Sequence, residues 1–246
     1  MSDTTRRPTD YFGTNLATLL SKKILDVYSG FDAKAFVRAV KNDYEERSLT
    51  GRVELIADCL HRFLPDNYKR SLTILTKIMG PENPNETGMF KEFYWLMPVG
   101  KYIEKYGVEH FDLSLQGIGE LTKRNTGEYA IRPFIRRYPE AALHQMTEWA
   151  TADNFHLRRL ASEGLRPKLP WAAKLDLFID EPTPVFRILT LLKNEKVTFV
   201  KKSVANNLTD YIKVNPEPTF ALIGQWRSAA TEDTTWIVNY ATRRIK

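Results

Sequence analysis

The chain has 246 residues, of which 43% are hydrophobic and 12% aromatic, and its formal net charge is +6. This length suits one large domain or about five to seven helical repeats. No apolar run approaches the roughly 20 residues that a membrane-spanning helix needs, and the polar N-terminal residues lack the apolar core of a signal peptide. Cys59 is the single cysteine, which excludes an internal disulfide. We therefore expect an intracellular, cytoplasmic protein, and as a separate expectation a monomer.

The positive charge is unevenly distributed along the chain. Residues 1–120 carry 16 Lys+Arg against 17 Asp+Glu, whereas residues 121–246 carry 20 against 13. The basic excess therefore lies in the second half, which favours a polyanionic partner such as nucleic acid bound there. A basic surface that only maintains solubility is the alternative.

The chain is predicted to begin with a flexible leader over residues 1–13. One domain is predicted over residues 14–246. Apolar residues recur with helical spacing from Asn15. This first helix is predicted to end at Gly30, and Asp32 is a predicted N-cap of the second helix.

Two further helices are predicted over Leu49–Leu64 and Asn67–Met79, and residues 80–88 have loop composition. An aromatic cluster follows, and a place in the core is favoured for it over a stacking platform. Its members are Phe90, Phe93, Tyr94 and Trp95. Alternating strand patterns and hairpin dipeptides are absent, so the sequence predicts an all-α fold.

A basic helical signature recurs in the second half. It reads HLRRLASEGL from His156, FVKKSVANNL from Phe199 and, more faintly, WIVNYATRRI from Trp236. A period near 40 residues with two amphipathic segments per period is typical of stacked helical repeats. The sequence therefore predicts an all-α solenoid with an extended concave face, and the cation pair in the first two copies suggests a partner with a regular row of negative charge.

The common enzymatic motifs are missing from this chain. It has no Gly-rich phosphate loop, no His-Glu-x-x-His and no Cys-x-x-Cys, and a buried structural thiol is the favoured interpretation of Cys59. The four histidines lack the spacing of metal ligands. They are His61, His110, His144 and His156. We expect neither a metal ion nor an organic cofactor.

Three segments stand out because they combine carboxylates, cations and aromatic residues. They are GEYAIRPFIRRYPE (127–140), RRLASEGLRPKLPWA (158–172) and KKSVANNLTDYIK (201–213). Pro133 predicts a break or a late helix start in the first segment. In the second, a basic helix is predicted to end at Gly164, which leaves Trp171 at a loop–helix junction.

These segments and their order resemble the AlkC branch of the AlkC/AlkD-type DNA alkylation repair glycosylases. The resemblance implies a HEAT-like solenoid that grips duplex DNA and excises cationic N-alkylated bases such as 3-methyladenine, and in this branch 3-methylcytosine or 1-methyladenine. It further implies that DNA bending, rather than a base-flipping pocket, gives access to the lesion. The chain ends without the immunoglobulin-like extension of some relatives, from which we expect a weaker or narrower grip on DNA.

The resemblance places the catalytic cluster at Glu128, Trp171 and Asp210. A carboxylate beside the sugar stabilises the positive charge that develops as the glycosidic bond breaks, and it can hold the attacking water. The face of a Trp attracts the same positive charge. The resemblance also implies contacts with the DNA backbone. We expect about half of the cations on the helices to make such contacts. The predicted DNA-binding residues are Arg132, Arg158, Arg159, Arg166, Lys168, Lys201, Lys202, Asn206, Asn207, Arg243 and Arg244.

A plain structural interpretation exists for each candidate. Glu128 is able to pair with Arg132 four residues on, Trp171 to fill the core between repeats, and Asp210 to pair with Lys213. Structural roles remain equally open for three further polar residues, namely Asn206, Asn207 and Glu163.

Two functional hypotheses follow from the sequence. The first is a monofunctional glycosylase, and the second is a non-catalytic binder of damaged, bent or branched DNA. The retained Glu128, Trp171 and Asp210 favour the enzyme. A third hypothesis, a protein-binding HEAT scaffold, is the least favoured, because it predicts no basic concave face.

Overall fold

A computed structural model describes residues 7–88 and 90–244, which are helical and contain no β-strand. The described chain forms two compact units, and the single domain over residues 14–246 stays a prediction. The first unit comprises the described residues up to Asn83 together with those from Gly88 to Asn125. The second comprises Pro84–Thr87 and the described residues from Thr126 onward. Within these described ranges, no helix has the length and apolar character needed to cross a bilayer.

The first unit is built from seven helices and two short 3₁₀ turns. The helices are α1 (Thr14–Leu25), α2 (Ala33–Lys41), α3 (Leu49–Phe63), α4 (Tyr68–Lys77), α5 (Phe90–Phe93), α6 (Met97–Tyr106) and α7 (Phe111–Thr122). Asp32 caps α2 as predicted, because its side chain accepts a hydrogen bond from the amide of Ala35 at 3.0 Å. Cys59 is buried in α3, where burial raises the pKa of its thiol. The prediction of a structural cysteine agrees with this placement.

Part of the predicted leader belongs to the first unit. Pro8–Tyr11 form a 3₁₀ helix, and Phe12 is fully buried against Tyr94, with the two rings edge-on at 5.7 Å. The leader expected over residues 1–13 is therefore ordered from Pro8, while residues 1–6 lie outside the described chain. Burial of the Phe12 ring stabilises this segment, because an aromatic side chain removes a large apolar surface from water.

The aromatic cluster after the 80–88 loop is partly buried. Trp95 is buried, with the ammonium of Lys23 4.5 Å from its ring centroid, whereas Phe90 is 39% exposed. The interpretation of this cluster as core thus holds for Trp95, whereas Phe93 and Tyr94 are half-buried and Phe90 is exposed.

The second unit contains the repeated basic helices. Its helices are α8 (Arg132–Arg137), α9 (Pro139–Ala150), α10 (Phe155–Glu163), α11 (Asp176–Asp180), α12 (Thr183–Leu191), α13 (Thr198–Val214), α14 (Pro216–Arg227) and α15 (Glu232–Thr242). The three copies of the sequence signature become α10, α13 and α15, and these pack side by side in that order. This unit is a HEAT-like helical repeat, as the sequence predicted.

Two local signals in the sequence fix the elements around the site. Pro133 lies in the first turn of α8, where its missing N–H costs nothing, so the preceding residues form a turn rather than helix. Gly164 ends α10, and a Cβ at this position would lie only 2.7 Å from Met146 and 2.9 Å from Ile131. A glycine here lets the end of α10 approach both neighbours closely.

Candidate functional site

Five charged side chains of the second unit form one continuous ion-pair cluster. Glu128 lies in the turn before α8, Arg159 and Glu163 lie on α10, Arg166 follows α10, and Asp210 lies on α13. Glu128 Oε2 is 3.3 Å from Arg159 Nη1, and Asp210 Oδ2 is 2.8 Å from Arg166 Nε. The two predicted catalytic carboxylates are thus each held by a guanidinium. Three carboxylates against two guanidinium groups leave the cluster with a formal charge of −1.

Glu163 connects the two halves of this cluster. Its carboxylate lies 2.8 Å from Arg166 Nη1 and 3.8 Å from Arg159 Nη2, and it accepts a 2.6 Å hydrogen bond from Ser203 Oγ. Burial alone would raise the pKa of Glu163, but the two arginines and Ser203 outweigh it and lower the pKa below its usual range. Glu163 is therefore ionised at neutral pH and fixes both arginines.

Further contacts restrict the side-chain conformation of Arg159. Arg159 Nη1 also lies 3.4 Å from Thr126 Oγ1, and its guanidinium lies over the ring of Phe199 at 4.6 Å. Burial acts to lower the pKa of Arg159, and Glu128 and Glu163 reverse that effect, so the pKa is raised. A guanidinium that two carboxylates, a hydroxyl and an aromatic ring all contact keeps the carboxylate it binds in one place, because little rotamer freedom remains.

Trp171 lies in the loop between α10 and α11 and is 93% exposed. This exposure excludes the interpretation of Trp171 as a core residue. Its backbone has φ +58°, the left-handed region that a bulky residue rarely adopts. Residues held in such a conformation persist only where the surrounding structure enforces it.

Three side chains from the segment that begins at Glu128 hold the Trp171 loop. Tyr129 donates its hydroxyl proton to the Pro170 carbonyl at 3.3 Å, and Arg136 Nη2 donates to the Lys174 carbonyl at 3.1 Å. Between them, Arg132 donates to the carbonyls of Gly164, Arg166 and Ala173. The backbone of the loop that carries Trp171 is thus fixed to the segment that carries Glu128.

Arg132 therefore lies in the interior, where the sequence analysis named it as a DNA contact. Its side chain is 3% exposed, and burial together with the charges of Arg136 and Arg166 lowers its pKa to about 10. The ion pair with Glu128 considered from the four-residue spacing does not form, because Glu128 precedes the helix and binds Arg159 instead.

The two cations of each repeated pair make different contacts. Arg158 binds Glu195 through two contacts, 2.6 and 3.2 Å, and donates to two backbone carbonyls. At the equivalent position Lys201 binds Asp233 at 2.9 Å. The first cation of each pair thus ties its helix to the following repeat. Of the second cations, Arg159 joins the acidic cluster and Lys202 is exposed.

The remaining predicted contacts are spread over the second unit. Asn207 is fully buried and donates to the Ser162 carbonyl at 2.7 Å, while Asn206 is partly exposed. Arg243 lies over the ring of Tyr240 at 3.6 Å. Three cations of this set, Lys168, Arg243 and Arg244, are exposed.

Several residues that hold the site together were not predicted from the sequence. Tyr129, Arg136 and Ser203 received no role, and Glu163 was left undecided. One signal was present, because Arg159, Glu163 and Arg166 are spaced four and three residues apart, as ion pairs on one helix face are. The contacts of Tyr129, Arg136 and Ser203 span 38 to 41 residues and have no local signature.

The fold and the cluster together define a class, a HEAT-like helical-repeat protein that carries an acidic cluster and an exposed tryptophan in a basic unit. Residues 125–245 match the family described as DNA alkylation repair enzyme. This match covers slightly less than half of the chain, and the predicted resemblance to the AlkC branch is confirmed.

Two relatives extend the likeness over nearly the whole chain. The protein YhaZ of Bacillus subtilis (strain 168) is 32% identical over 237 residues, which are 96% of this chain and 64% of that protein. The structure of Pseudomonas fluorescens alkylpurine DNA glycosylase AlkC bound to DNA containing an abasic site analog has a TM-score of 0.87 at 31% identity. That match covers 97% of this chain and 64% of that one. The chain therefore spans slightly less than two thirds of the length of both relatives.

Proposed function

We propose that this protein hydrolyses the N-glycosidic bond of cationic N-alkylated bases in duplex DNA. The observation that carries the proposal is the acidic cluster together with an exposed Trp171, whose loop is held by Tyr129 next to Glu128, within the half of the chain that holds the basic excess. The expected substrates are 3-methyladenine and, by the resemblance to AlkC, 3-methylcytosine or 1-methyladenine. The protein would act as a monomer.

The chemistry suits a cluster with a net negative charge. When the bond between C1′ and the base nitrogen breaks, its electron pair neutralises the cationic base and leaves positive charge on the sugar. Glu128 and Asp210 stabilise that charge electrostatically. Water then attacks C1′ and loses a proton to one of these carboxylates, which completes the hydrolysis.

The two arginines keep the carboxylates ready for that role. Each guanidinium orients its carboxylate before substrate arrives, so little reorganisation accompanies the developing charge. Glu163 braces both guanidinium groups and is a positioning residue, since it acts on the reacting atoms only through Arg159 and Arg166.

Trp171 supplies a second source of stabilisation. Its exposed indole presents a π face, which attracts a cationic sugar or base by about 0.5 to 2 kcal/mol. An exposed indole on a braced loop fits recognition from outside the duplex, with bending of the DNA rather than a deep pocket giving access.

Phosphate contacts would come from the exposed cations. Lys168, Lys202, Arg243 and Arg244 present their side chains to solvent. In contrast, Arg132, Arg158 and Lys201 are committed to carbonyls or carboxylates. We expect the phosphate contacts from these four exposed cations, out of the nine that the sequence named.

The test is release of bases from methylated duplex DNA by the purified protein, resolved by chromatography. Wild type should release 3-methyladenine or 3-methylcytosine, and Glu128→Gln should abolish the release. Glu140→Gln, an exposed glutamate of the same unit, is the matched control and should behave as wild type. DNA binding without release of any base would refute the enzyme and leave the binder of damaged DNA.

A further inference from the structure

The first unit contains a locally basic helix pair that the charge balance of the first half conceals. Residues 1–120 carry one more acidic than basic side chain, yet α1 and α2 together contain five cations and no carboxylate. These cations are Lys22, Lys23, Lys34, Arg38 and Lys41. The neighbouring acids lie in the connections on either side of the helices, not within them.

A groove of about 530 Å³ is lined by these two helices. The side chains of Ala33 and Val37 supply apolar lining, and Lys34, Arg38 and Lys41 lie along α2. The three cations are spaced four and three residues apart, so they share one face of the helix. All three are exposed, and none forms an ion pair with any residue that the structure describes.

This row differs from the other cations near it. Lys23 lies over the ring of Trp95, and Arg47 pairs with Asp43. Across the groove, Thr18 and Ser21 donate their hydroxyl protons to carbonyls of their own helix. Recognition in the groove therefore rests on the cations, which attract negative charge without reading a base sequence.

We propose that the groove of α1 and α2 binds the phosphate backbone of duplex DNA. From Lys34 to Lys41 the row is about 10 Å long, because an α-helix rises 1.5 Å per residue. Duplex DNA offers one negative charge per about 1.7 Å of axis, so such a row can face several phosphates at once. The choice of DNA as the occupant rests on the proposed function, whereas the basic groove itself does not.

The experiment measures binding of undamaged duplex DNA of about 25 base pairs by fluorescence anisotropy, between about 50 and 200 mM KCl. Lys34→Gln, Arg38→Gln and Lys41→Gln are combined in one variant. The control variant combines Lys69→Gln, Lys77→Gln and Lys91→Gln, which remove the same charge from exposed positions of the same unit. Circular dichroism and thermal melting establish that both variants are folded.

The groove variant should bind at least about tenfold more weakly than wild type at the lowest salt concentration. The slope of log K against log salt should become shallower by about 2.7 if all three cations contact phosphate. An affinity and slope equal to those of the control variant would overturn the proposal. Unchanged DNA binding with lost binding of poly-glutamate would assign the groove to an acidic protein partner and overturn it equally.

The result is independent of catalysis because the DNA carries no lesion. If wild type releases no alkylated base but the groove variant loses affinity, the groove proposal stands and the glycosylase fails. If base release is present and the groove variant binds DNA as wild type does, the groove proposal fails alone.

Discussion

Glu163→Gln tests how the acidic cluster works, because the substitution keeps the shape of the side chain and removes only its charge. Glu163 is 6% exposed and contacts Arg159, Arg166 and Ser203. Removing one partner of a buried ion pair costs about 3 to 5 kcal/mol. The Gln amide oxygen can still accept one hydrogen bond, so we expect a loss of about 3 kcal/mol in the free energy of unfolding.

The catalytic effect should exceed what this loss of stability explains. Without Glu163, Arg159 and Arg166 each keep one carboxylate and lose the brace between them, so Glu128 and Asp210 can shift. A displacement near 1 Å costs on the order of 100-fold in rate, so single-turnover base excision should fall about 10- to 100-fold. DNA affinity should stay unchanged, because Glu163 is buried.

Glu195→Gln is the matched control for this experiment. Glu195 also forms a buried ion pair, with Arg158 at 2.6 Å, but it takes no part in the cluster. This control should lose comparable stability in urea unfolding and keep its single-turnover rate within about twofold of wild type. Equal excision rates for the two variants at a temperature where both are folded would refute the positioning role of Glu163.

Three other predictions concern the loop, its anchor and the response to acid. Trp171→Ala should leave the melting temperature nearly unchanged, since the side chain is exposed, and slow single-turnover excision by about 2- to 30-fold; unchanged excision would remove Trp171 from the mechanism. Arg132→Met should lower the free energy of unfolding by about 2 to 4 kcal/mol, because three carbonyls lose a charged donor; a melting temperature equal to that of wild type would contradict this role. The lowered pKa of Glu163 means that its contribution to stability is complete above the unfolded pKa, near 4.3, and is lost as pH falls through the lower folded pKa. Urea unfolding between about pH 5 and 3 should therefore show a steeper loss for wild type than for Glu163→Gln, and parallel curves would show that Glu163 does not titrate in this way.

The helices were predictable because their signals are local. Apolar spacing, the Asp32 cap and the stop at Gly164 each involve residues within a few positions of one another. The repeat of the basic signature likewise became α10, α13 and α15. The start of the first unit was missed, since the burial of Phe12 depends on Tyr94, far along the chain.

The roles of the cations were not predictable from their positions. Arg158 and Lys201 form ion pairs with residues 37 and 32 positions away, and Arg166 reaches Asp210 across 44. A sequence shows that a cation is present but not which carboxylate lies opposite it after folding. The net charge summed over residues 1–120 also hid the basic helix pair α1 and α2, because acidic residues elsewhere in that range cancel its charge.

The left-handed backbone of Trp171 implies a conflict between durability and activity at this position. A bulky residue with φ +58° costs about 1 to 3 kcal/mol, which glycine would avoid. Selection for thermal resistance alone would therefore favour replacing this tryptophan. Under the proposed function, the loop is a place where the protein gives up stability for the position of one aromatic ring.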